Sequence, residues 1–240
     1  MSLLTDLVSS WELSEASGSA LDSHSTNDLT DVTGVGSGTG LVYGTARDLE
    51  RSLGDRFTRA SNATLAVGDI DYTLEAWVNL ESLSRGTIVT KSDGSNGAYF
   101  LIYETATSRF RLQTCGASGF GSLTNLDASS FGAISTATWY HVIAWHDSVN
   151  NEIGISVNDV DDTTAHSTGV YEDGVMGLTV GSNAFGDAWD GLISPVRFWK
   201  RVLTGSERTQ LYNSGAGLTY AGLTPASGNR RRRVLLCGGR

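Results

Sequence analysis

The stretch that decides the fold is DGLISPVRFWKRVLT, which spans residues 190–204. Leu192, Val196 and Phe198 fall on one face of an extended chain and Arg197 falls on the other. This period of two is typical of a half-buried strand. A strand is therefore predicted here, with its apolar face on the core.

A short helix is predicted directly after this strand. Thr204 lies three residues before Glu207, which is the spacing of a capping box, where each side chain bonds the backbone N–H of the other. Gly215 follows Leu211 at a position expected of a helix stop. The last strand should thus lead into one capped helix.

Further strands are indicated by the same alternation. In Tyr72–Leu80 one parity is apolar and the other carries Thr73 and Glu75, with Trp77 as the exception. One face of this strand is predicted to meet the core and the other to meet solvent. A hairpin turn is predicted at Asn158-Asp159. Similar strands are predicted at Ala98–Glu104, Arg109–Cys115, Trp139–His146, Glu152–Val157 and Leu178–Gly181.

Composition favours a single β-sandwich. The chain has 240 residues, of which 40% are hydrophobic, enough for one sizeable core. It contains 29 Gly and 2 Pro, and turn signals such as Asp93-Gly94 and Asn96-Gly97 recur between short alternating segments. These recurring turns between short segments indicate an all-β domain.

Several blocks of sequence carry a family resemblance. The blocks are LVSSWEL at 7–13, GDIDYTLEAWV at 68–78, TWYHVIA at 138–144 and the closing stretch at 190–204. In their order and spacing they resemble the strands of laminin-G-like, concanavalin A-like jelly-roll domains. This fold hosts lectins, adhesion modules, glycan hydrolases and virion proteins, so the fold alone does not specify the function.

The resemblance implies an all-β, two-sheet antiparallel jelly-roll sandwich with one short C-terminal helix. Residues 1–6 are then an N-terminal extension, 7–224 the jelly-roll domain and 225–240 a basic C-terminal tail.

The resemblance also implies one structural Ca²⁺, which in such domains ties the first loop to the last strand through oxygen ligands. Asp22 and Asn27 match the first-loop positions. Ser194 and Pro195 stand where the family carries acids, and Asp190 is a substitute from the preceding turn. The alternative for Asp22 is an Asx-turn that shapes its own loop.

A sugar-binding site is predicted around Trp189, which Asp187 and Asp190 flank. An aromatic ring beside carboxylates can stack on a sugar ring and accept hydrogen bonds from its hydroxyl groups. The Gly/Ser-rich loop at 116–132, with Phe120 and Phe131 inside it, is a second candidate surface. Four other tryptophans lie in strand-like segments and are predicted to pack in the core, namely Trp11, Trp139, Trp145 and Trp199.

Catalysis is not predicted. The chain has no run of alternating carboxylates like the pair that glucanases use, and Asp69 and Asp71 lie at a loop-to-strand entry. His141 and His146 differ in parity, so they cannot face each other across a metal ion, and each is expected to be packed or hydrogen-bonded. Cys115 is predicted to be a buried free thiol.

Charge divides the chain into an acidic body and a basic tail. The formal net charge is −9, although residues 225–240 carry five arginines and no acid. The acidic body argues against nucleic acid as a ligand. The tail is either a solvated end or a docking segment that holds neighbouring subunits or other surface proteins. Its predicted partner-binding residues are Arg230, Arg231, Arg232, Arg233, Leu235 and Leu236.

The start of the chain shows no signal-peptide pattern, and no apolar run reaches the length of a membrane span. Synthesis in the cytoplasm is therefore expected. The leading hypothesis is a non-catalytic virion-surface protein, a capsid decoration or tail-associated subunit that adheres to host glycans and forms a homo-oligomer. The alternative is a free-standing carbohydrate-binding or adhesion module, and the third reading is a glycan-active hydrolase.

Overall fold

The computed structural model describes residues 2–224, and its strands form two antiparallel sheets. One α-helix, α1 (Gly205–Tyr212), follows the last strand. Among the described residues, no helix combines the length and apolarity needed to cross a membrane. The strands are β1 (Leu7–Trp11), β2 (Thr30–Asp31), β3 (Gly36–Thr39), β4 (Thr45–Leu49), β5 (Phe57–Arg59), β6 (Tyr72–Leu80), β7 (Gly86–Ser92), β8 (Gly97–Glu104), β9 (Arg109–Cys115), β10 (Leu123–Asp127), β11 (Trp139–Asp147), β12 (Glu152–Val157), β13 (Val160–Ala165), β14 (Leu178–Val180) and β15 (Gly191–Trp199).

The two sheets have the connectivity of a jelly-roll sandwich. Sheet 1 has the order β13-β12-β11-β6-β15-β4-β3, and β1 pairs with the second half of β15. Sheet 2 has the order β10-β9-β8-β7-β14-β5-β2. The fold predicted from the sequence is confirmed.

The core lies between the two sheets and follows the predicted alternation. Leu74 and Val78 of β6 point into it from sheet 1, and Leu101, Tyr103 and Leu112 come from sheet 2. All five are at most 1% exposed. Burial of these alternate residues is the main source of stability for such a sandwich.

Most predicted strand bounds are confirmed to within one residue. The strands at 72–80, 109–115 and 152–157 begin and end as predicted. The hairpin turn between β12 and β13 also lies where it was predicted, since Asn158 and Asp159 have φ values of 48° and 68°. A two-residue hairpin of this kind requires the left-handed region, which Asn and Asp tolerate.

The predicted solvent face of sheet 1 is wrong. Thr73 and Glu75 of β6 and Arg197 of β15 are 0% exposed. The outer face is covered because α1 and the residues after it fold back on the sheet, where Leu211 and Leu223 join a second apolar cluster. The central strands of sheet 1, β6, β11 and β15, are therefore buried on both sides, whereas the edge strands β3 and β13 stay mostly exposed.

Trp77, the exception to the alternation, belongs to this outer face. Its ring stacks on His141, with centroids 4.9 Å apart, and on Tyr212 of α1 at 6.1 Å. Trp77 thus interrupts the alternation expected of a strand with one polar face because its ring packs under α1, on the outer face of sheet 1.

The capping box of α1 is present as predicted. The Thr204 side chain accepts from the Glu207 N–H, and Glu207 accepts from the Thr204 N–H at 2.9 Å. The helix ends earlier than predicted, because Asn213 takes the left-handed C-cap position with φ 48°. Gly215 lies in the following 3₁₀ turn.

Residues 2–6, predicted to be an extension, pack on the domain. Leu3 is 2% exposed, and its carbonyl accepts the indole N–H of Trp199 at 2.7 Å. The segment therefore belongs to the cover of sheet 1. The tail at 225–240 lies outside the described residues.

Candidate functional site

Trp189 is not a stacking surface, which corrects the prediction. Its ring is 1% exposed and belongs to the main core. The loop after β14 turns back so that the Trp189 N–H donates to the Gly181 carbonyl at 2.7 Å. Gly86 faces the ring so closely that an added Cβ would lie 3.2 Å from it. A sugar therefore has no access to this ring.

Asp187 and Asp190 lie on either side of Trp189 but serve different contacts. Asp187 accepts from the Asn183 amide at 3.0 Å and lies 3.5 Å from the Arg85 guanidinium. Asp190 accepts from the Arg51 N–H at 3.2 Å. The structure does not bring the predicted trio together.

An aromatic groove lies beside Asp187, on the outer face of sheet 2. Phe100, Phe120 and Phe185 form a triangle with ring centroids 5.8 to 6.4 Å apart. We call this site, of about 240 Å³, the Phe groove. It is lined by Phe100, Phe120, Phe185, Arg85, Gln113, Leu123 and Asn183.

The floor of the Phe groove comes from two paired strands. Phe100 of β8 is directly opposite Gln113 of β9. Both point away from the core, because their chain neighbours Leu101 and Leu112 point into it. Phe100 packs with Ile102 and Cys115 in a small apolar cluster on this outer face.

Phe120 is positioned by glycines. Gly119 has φ 62°, and a Cβ there would lie 2.1 Å from the Asn96 side-chain oxygen. Gly97 leaves space for Phe100 and Phe120, since a Cβ at Gly97 would lie 2.7 Å from the first ring and 3.2 Å from the second. Any L side chain at either position would disturb this wall.

Phe185 is held in an exposed position by an Asx turn. The Asn183 side-chain oxygen accepts the N–H groups of Phe185 at 2.8 Å and Asp187 at 3.2 Å. The Asn183 amide donates to Thr87 on β7 at 2.9 Å, which anchors the turn to the sheet. Phe185 nevertheless stays 59% exposed. A large aromatic ring that the turn keeps exposed to solvent indicates a contact surface.

Polar groups surround the rings. Arg85 is 41% exposed and lies 3.5 Å from both Glu104 and Asp187. The Gln113 amide makes no hydrogen bond within residues 2–224. A guanidinium group and an amide beside aromatic rings suit a ligand with one apolar face and a rim of hydroxyl groups.

The second candidate surface of the sequence is partly corrected. The segment 116–132 is not one loop, since it contains a 3₁₀ turn at Gly119–Gly121 and the edge strand β10. Phe120 and Leu123 of this segment line the groove. Sequence reasoning missed Phe100 and Gln113, although an aromatic residue on the outward parity of β8 was a usable signal.

The residues around Asp22 do not fit a calcium ion. The Oδ1 of Asp22 accepts the N–H groups of Ser10, His24 and Ser25 at 2.9 to 3.1 Å, and Oδ2 accepts that of Asn27 at 3.2 Å. Oδ1 has no acceptor capacity left and Oδ2 has one site, which is far fewer than the roughly six to eight oxygen ligands that a calcium ion takes.

Asn27 is engaged in the same way. Its Oδ1 accepts from the Asn62 amide at 2.9 Å and the Thr64 hydroxyl at 3.2 Å, and its amide donates to the Ser9 hydroxyl at 2.8 Å. The loop-shaping alternative for Asp22 agrees with these bonds.

One group of acids elsewhere on the domain was not anticipated. Within residues 2–224, carboxylate oxygens of Asp48, Glu50 and Glu81 lie within 4.8 Å of one another. Partial burial raises the pKa of Glu81, and the neighbouring Asp48 and Glu50 carboxylates raise it further. Like charges at this distance disfavour full ionisation.

Of the polar residues considered for catalysis, Asp71, His141 and His146 have structural contacts, whereas the Asp69 side chain is 69% exposed. Asp71 accepts from the Ser148 N–H at 2.9 Å and hydroxyl at 2.7 Å. His141 bonds Glu75 at 3.0 Å, and His146 bonds the Ile70 carbonyl at 2.8 Å. The histidine predictions are confirmed.

Cys115 is a free, buried thiol as predicted, and burial raises its pKa to about 12. A thiol of this kind is unreactive at neutral pH. Of the four tryptophans predicted to pack in the core, three are buried and Trp139 is half-buried.

Comparison with known proteins agrees with this architecture. The family model of the concanavalin A-like lectin/glucanases superfamily, Laminin_G_3, matches residues 54–207. No curated protein sequence matches the chain.

Three solved structures illustrate the fold. Domain 4 of AbnA, an extracellular GH43 arabinanase from Geobacillus stearothermophilus in complex with arabinotriose, is 18% identical with a TM-score of 0.67, covering 85% of this chain and 97% of that one. The binding domain of Paraclostridial Mosquitocidal Protein 1 is 15% identical with a TM-score of 0.70, and the match covers 89% of this chain and 53% of that one. The receptor binding domain of botulinum neurotoxin D is 13% identical with a TM-score of 0.66, and the match covers 89% of this chain and 54% of that one. This chain thus spans about half of the two toxin domains.

Proposed function

The chain belongs to the Laminin_G_3 family of the concanavalin A-like lectin/glucanases superfamily, and on this premise we propose that it is a non-catalytic carbohydrate-binding module. Its Phe groove holds the sugar. The observation that carries this proposal is the ring of Phe185, which is 59% exposed and packs with half-buried Phe120 and buried Phe100. Beside these rings lies a Gln113 amide that has no hydrogen-bond partner among residues 2–224.

The chemistry of the groove matches a sugar ring. The C–H face of a sugar packs on an aromatic ring, and its hydroxyl groups both donate and accept hydrogen bonds. Gln113 offers both functions, and Arg85 offers donors. At about 240 Å³ the groove is smaller than a typical drug-sized pocket. It therefore suits one residue of a chain, held at an open surface.

Two observations support binding rather than hydrolysis. The carboxylates nearest the groove, Glu104 and Asp187, both lie beside Arg85, and Glu104 also pairs with Arg111 at 3.1 Å. Glycoside hydrolysis requires a carboxyl group that donates a proton and a second one across the scissile bond. The AbnA domain, which has this fold and is bound to arabinotriose, supports a binding role for such a domain.

A titration of neutral oligosaccharides tests this proposal. Arabinotriose, cellotriose and maltotriose are titrated into the full chain by calorimetry, and at least one is expected to bind. Phe185→Ala should weaken that binding about tenfold, about 1.4 kcal/mol, and leave the melting temperature unchanged because the ring is 59% exposed. Gln113→Ala should weaken it as well.

The matched control is Val149→Ala, which shortens an apolar side chain that is 78% exposed and lies outside the groove. It should bind like the wild type. Equal affinity of the wild type, Phe185→Ala and Gln113→Ala would place binding outside the groove. Failure of all three sugars to bind would contradict the neutral-glycan proposal.

Display on a virion is a finer proposal about the same binding module. It rests on the basic tail with Arg230 to Arg233, Leu235 and Leu236, which lies outside the described residues. Docking by this tail, oligomerisation and the virion surface as location stay predictions. A glycan partner is supported by the groove independently of them.

A further inference from the structure

A second cleft, larger than the Phe groove, opens where the first loop meets the end of β15. Its volume is about 510 Å³, and it shares no lining residue with the Phe groove. Leu7, Val8 and Ala63 form an apolar part of its wall. We call it the Lys200 cleft, after the cation that lines it.

Lys200 has no acidic partner in residues 2–224. Its Nζ donates to the Ala63 carbonyl at 3.1 Å, and it forms no ion pair there. Lys91, the other lysine of the chain, is buried and lies 3.4 Å from Glu172. Partial burial of Lys200 lowers its pKa. The Glu172 carboxylate, which pairs with Lys91, also favours the charged form of Lys200, although it forms no ion pair with it. A half-buried ammonium group without an ion pair of its own gains from an anionic ligand.

Polar side chains with free hydrogen-bonding capacity among the described residues line the same cleft. His24 bonds the Tyr220 hydroxyl through Nδ1 at 3.0 Å, which leaves Nε2 without a partner among the described residues. The Ser25 hydroxyl likewise makes no hydrogen bond within that range. The Thr64 hydroxyl donates within its own loop and retains its capacity to accept. One ammonium group therefore stands among hydroxyl and imidazole groups.

We propose that the Lys200 cleft is a second binding site, which takes a sugar acid with its carboxylate on Lys200. The hydroxyl groups of such a ligand meet Ser25 and Thr64, and its C–H face lies on Leu7 and Val8. The volume of 510 Å³ is within the range of small-molecule sites.

A monocarboxylate fits this cleft better than a phosphate group. Phosphate carries nearly two negative charges at neutral pH and is held in proteins by several donors, often arginine or backbone N–H groups. The cleft provides one lysine, and the backbone N–H groups of its lining residues His24, Ser25 and Thr64 are already bonded to the side chains of Asp22 and Asn62. The acidic body also disfavours multiply charged ligands.

The experiment is a titration followed by two-dimensional NMR at constant ionic strength, with sodium glucuronate, glucose and inorganic phosphate as separate probes. Glucuronate should shift the signals of Ser25 and Thr64 and bind at least tenfold tighter than glucose. Lys200→Gln should remove this advantage, whereas Lys200→Arg should retain most of it.

Arg109→Gln is the matched control, since it removes one positive charge from a side chain whose recorded hydrogen bond is to the neighbouring Ser108 carbonyl. It should bind glucuronate like the wild type. If Lys200→Gln lowers the melting temperature, the proposal is tested by comparing the affinities for glucuronate and glucose in the wild type and in Lys200→Arg. Equal binding of glucuronate and glucose, or of phosphate and glucuronate, would overturn the proposal.

Discussion

At the residue scale, the feature that most departs from expectation is the buried ion pair of Arg197 and Glu75. Nη1 of Arg197 bonds both carboxylate oxygens of Glu75 at 3.2 and 3.0 Å, and Nε bonds the Ser10 hydroxyl at 3.0 Å. Nη2 donates to the Leu218 carbonyl at 2.6 Å. The guanidinium group thus joins β15, β6 and β1 to the C-terminal segment, which explains why charges lie under α1.

Glu75 remains ionised in this setting. Burial acts to raise its pKa, but the Arg197 charge and the hydrogen bond from His141 lower it by more, so its pKa lies below the ordinary value of 4.5. Glu12 shares Arg197 at the longer distance of 3.5 Å, and burial raises its pKa. The carboxylate in closer contact with Arg197 therefore has the lower pKa.

Replacement of Glu75 should lower stability and change its pH dependence. A group whose folded pKa is depressed adds stability above its unfolded pKa, and this stability is lost as the pH falls through the folded value. The wild type should therefore lose free energy of unfolding below about pH 4.5. Glu75→Gln removes the closer carboxylate and leaves Arg197 with Glu12 at 3.5 Å, so it should cost up to about 3–5 kcal/mol at pH 7.

Urea unfolding between pH 3 and pH 7 measures this effect. The acid-induced loss should be smaller in Glu75→Gln than in the wild type. Glu152→Gln, a half-buried carboxyl at the start of β12, is the control and should behave like the wild type. Parallel pH profiles for the wild type and Glu75→Gln would contradict the expectation.

At the element scale, α1 depends on its contacts with the sheet. With eight residues it is too short to be stable alone. Glu207 accepts two bonds from the Arg201 guanidinium at 2.7 and 2.9 Å. The Arg208 guanidinium lies over the Trp145 ring, 4.2 Å from its centroid. The ring in turn lies flat on Gly154 of β12, where a Cβ would be 2.0 Å away.

Removal of the N-cap should weaken this element measurably. Thr204→Ala takes away the acceptor for the Glu207 N–H and should lower the free energy of unfolding by about 0.5–2 kcal/mol. The urea midpoint is the measurement. Gln210→Ala, an exposed position of the same helix, should change it by no more than about 0.5 kcal/mol. Equal effects of the two substitutions would mean that the cap contributes nothing.

At the scale of the whole molecule, hydrogen bonds join the first loop to β1 and to the C-terminal segment at one end of the sandwich. Asp22 accepts four backbone N–H groups, and His24 of the same loop contacts Tyr220 near the end of the domain. These hydrogen bonds fix the shape of the first loop and its position against the end of the domain.

Thermal unfolding tests whether a calcium ion also binds this loop. An ion that binds the native state alone would add about 2.7 kcal/mol at a hundred times its dissociation constant. We expect added calcium to leave the melting temperature of the wild type unchanged, and Asp22→Ala to lower it with or without calcium. A rise with calcium in the wild type that Asp22→Ala abolishes would instead support the calcium site.

The longer strands, one hairpin turn and the start of α1 can be read from the sequence. Alternation places Leu192 on the core face, whereas the structure puts Ile193 there, because the pairing of β15 with β6 shifts between Ile193 and Val196. Alternation located β6, β9 and β12, turn residues located the hairpin at Asn158-Asp159, and Thr204 with Glu207 located the helix start. These features are local, because each depends on residues a few positions apart. The local sequence pattern is therefore sufficient to predict them.

Only the tertiary structure decided what covers each outer face. Alternation shows which residues share a face, but it does not show whether solvent or another segment lies on it, so Glu75 and Arg197 were assigned to the surface. The direction of Trp189 and the meeting of Phe100, Phe120 and Phe185 depend on how distant loops fold over sheet 2. Such contacts arise from packing between segments that the local pattern does not relate.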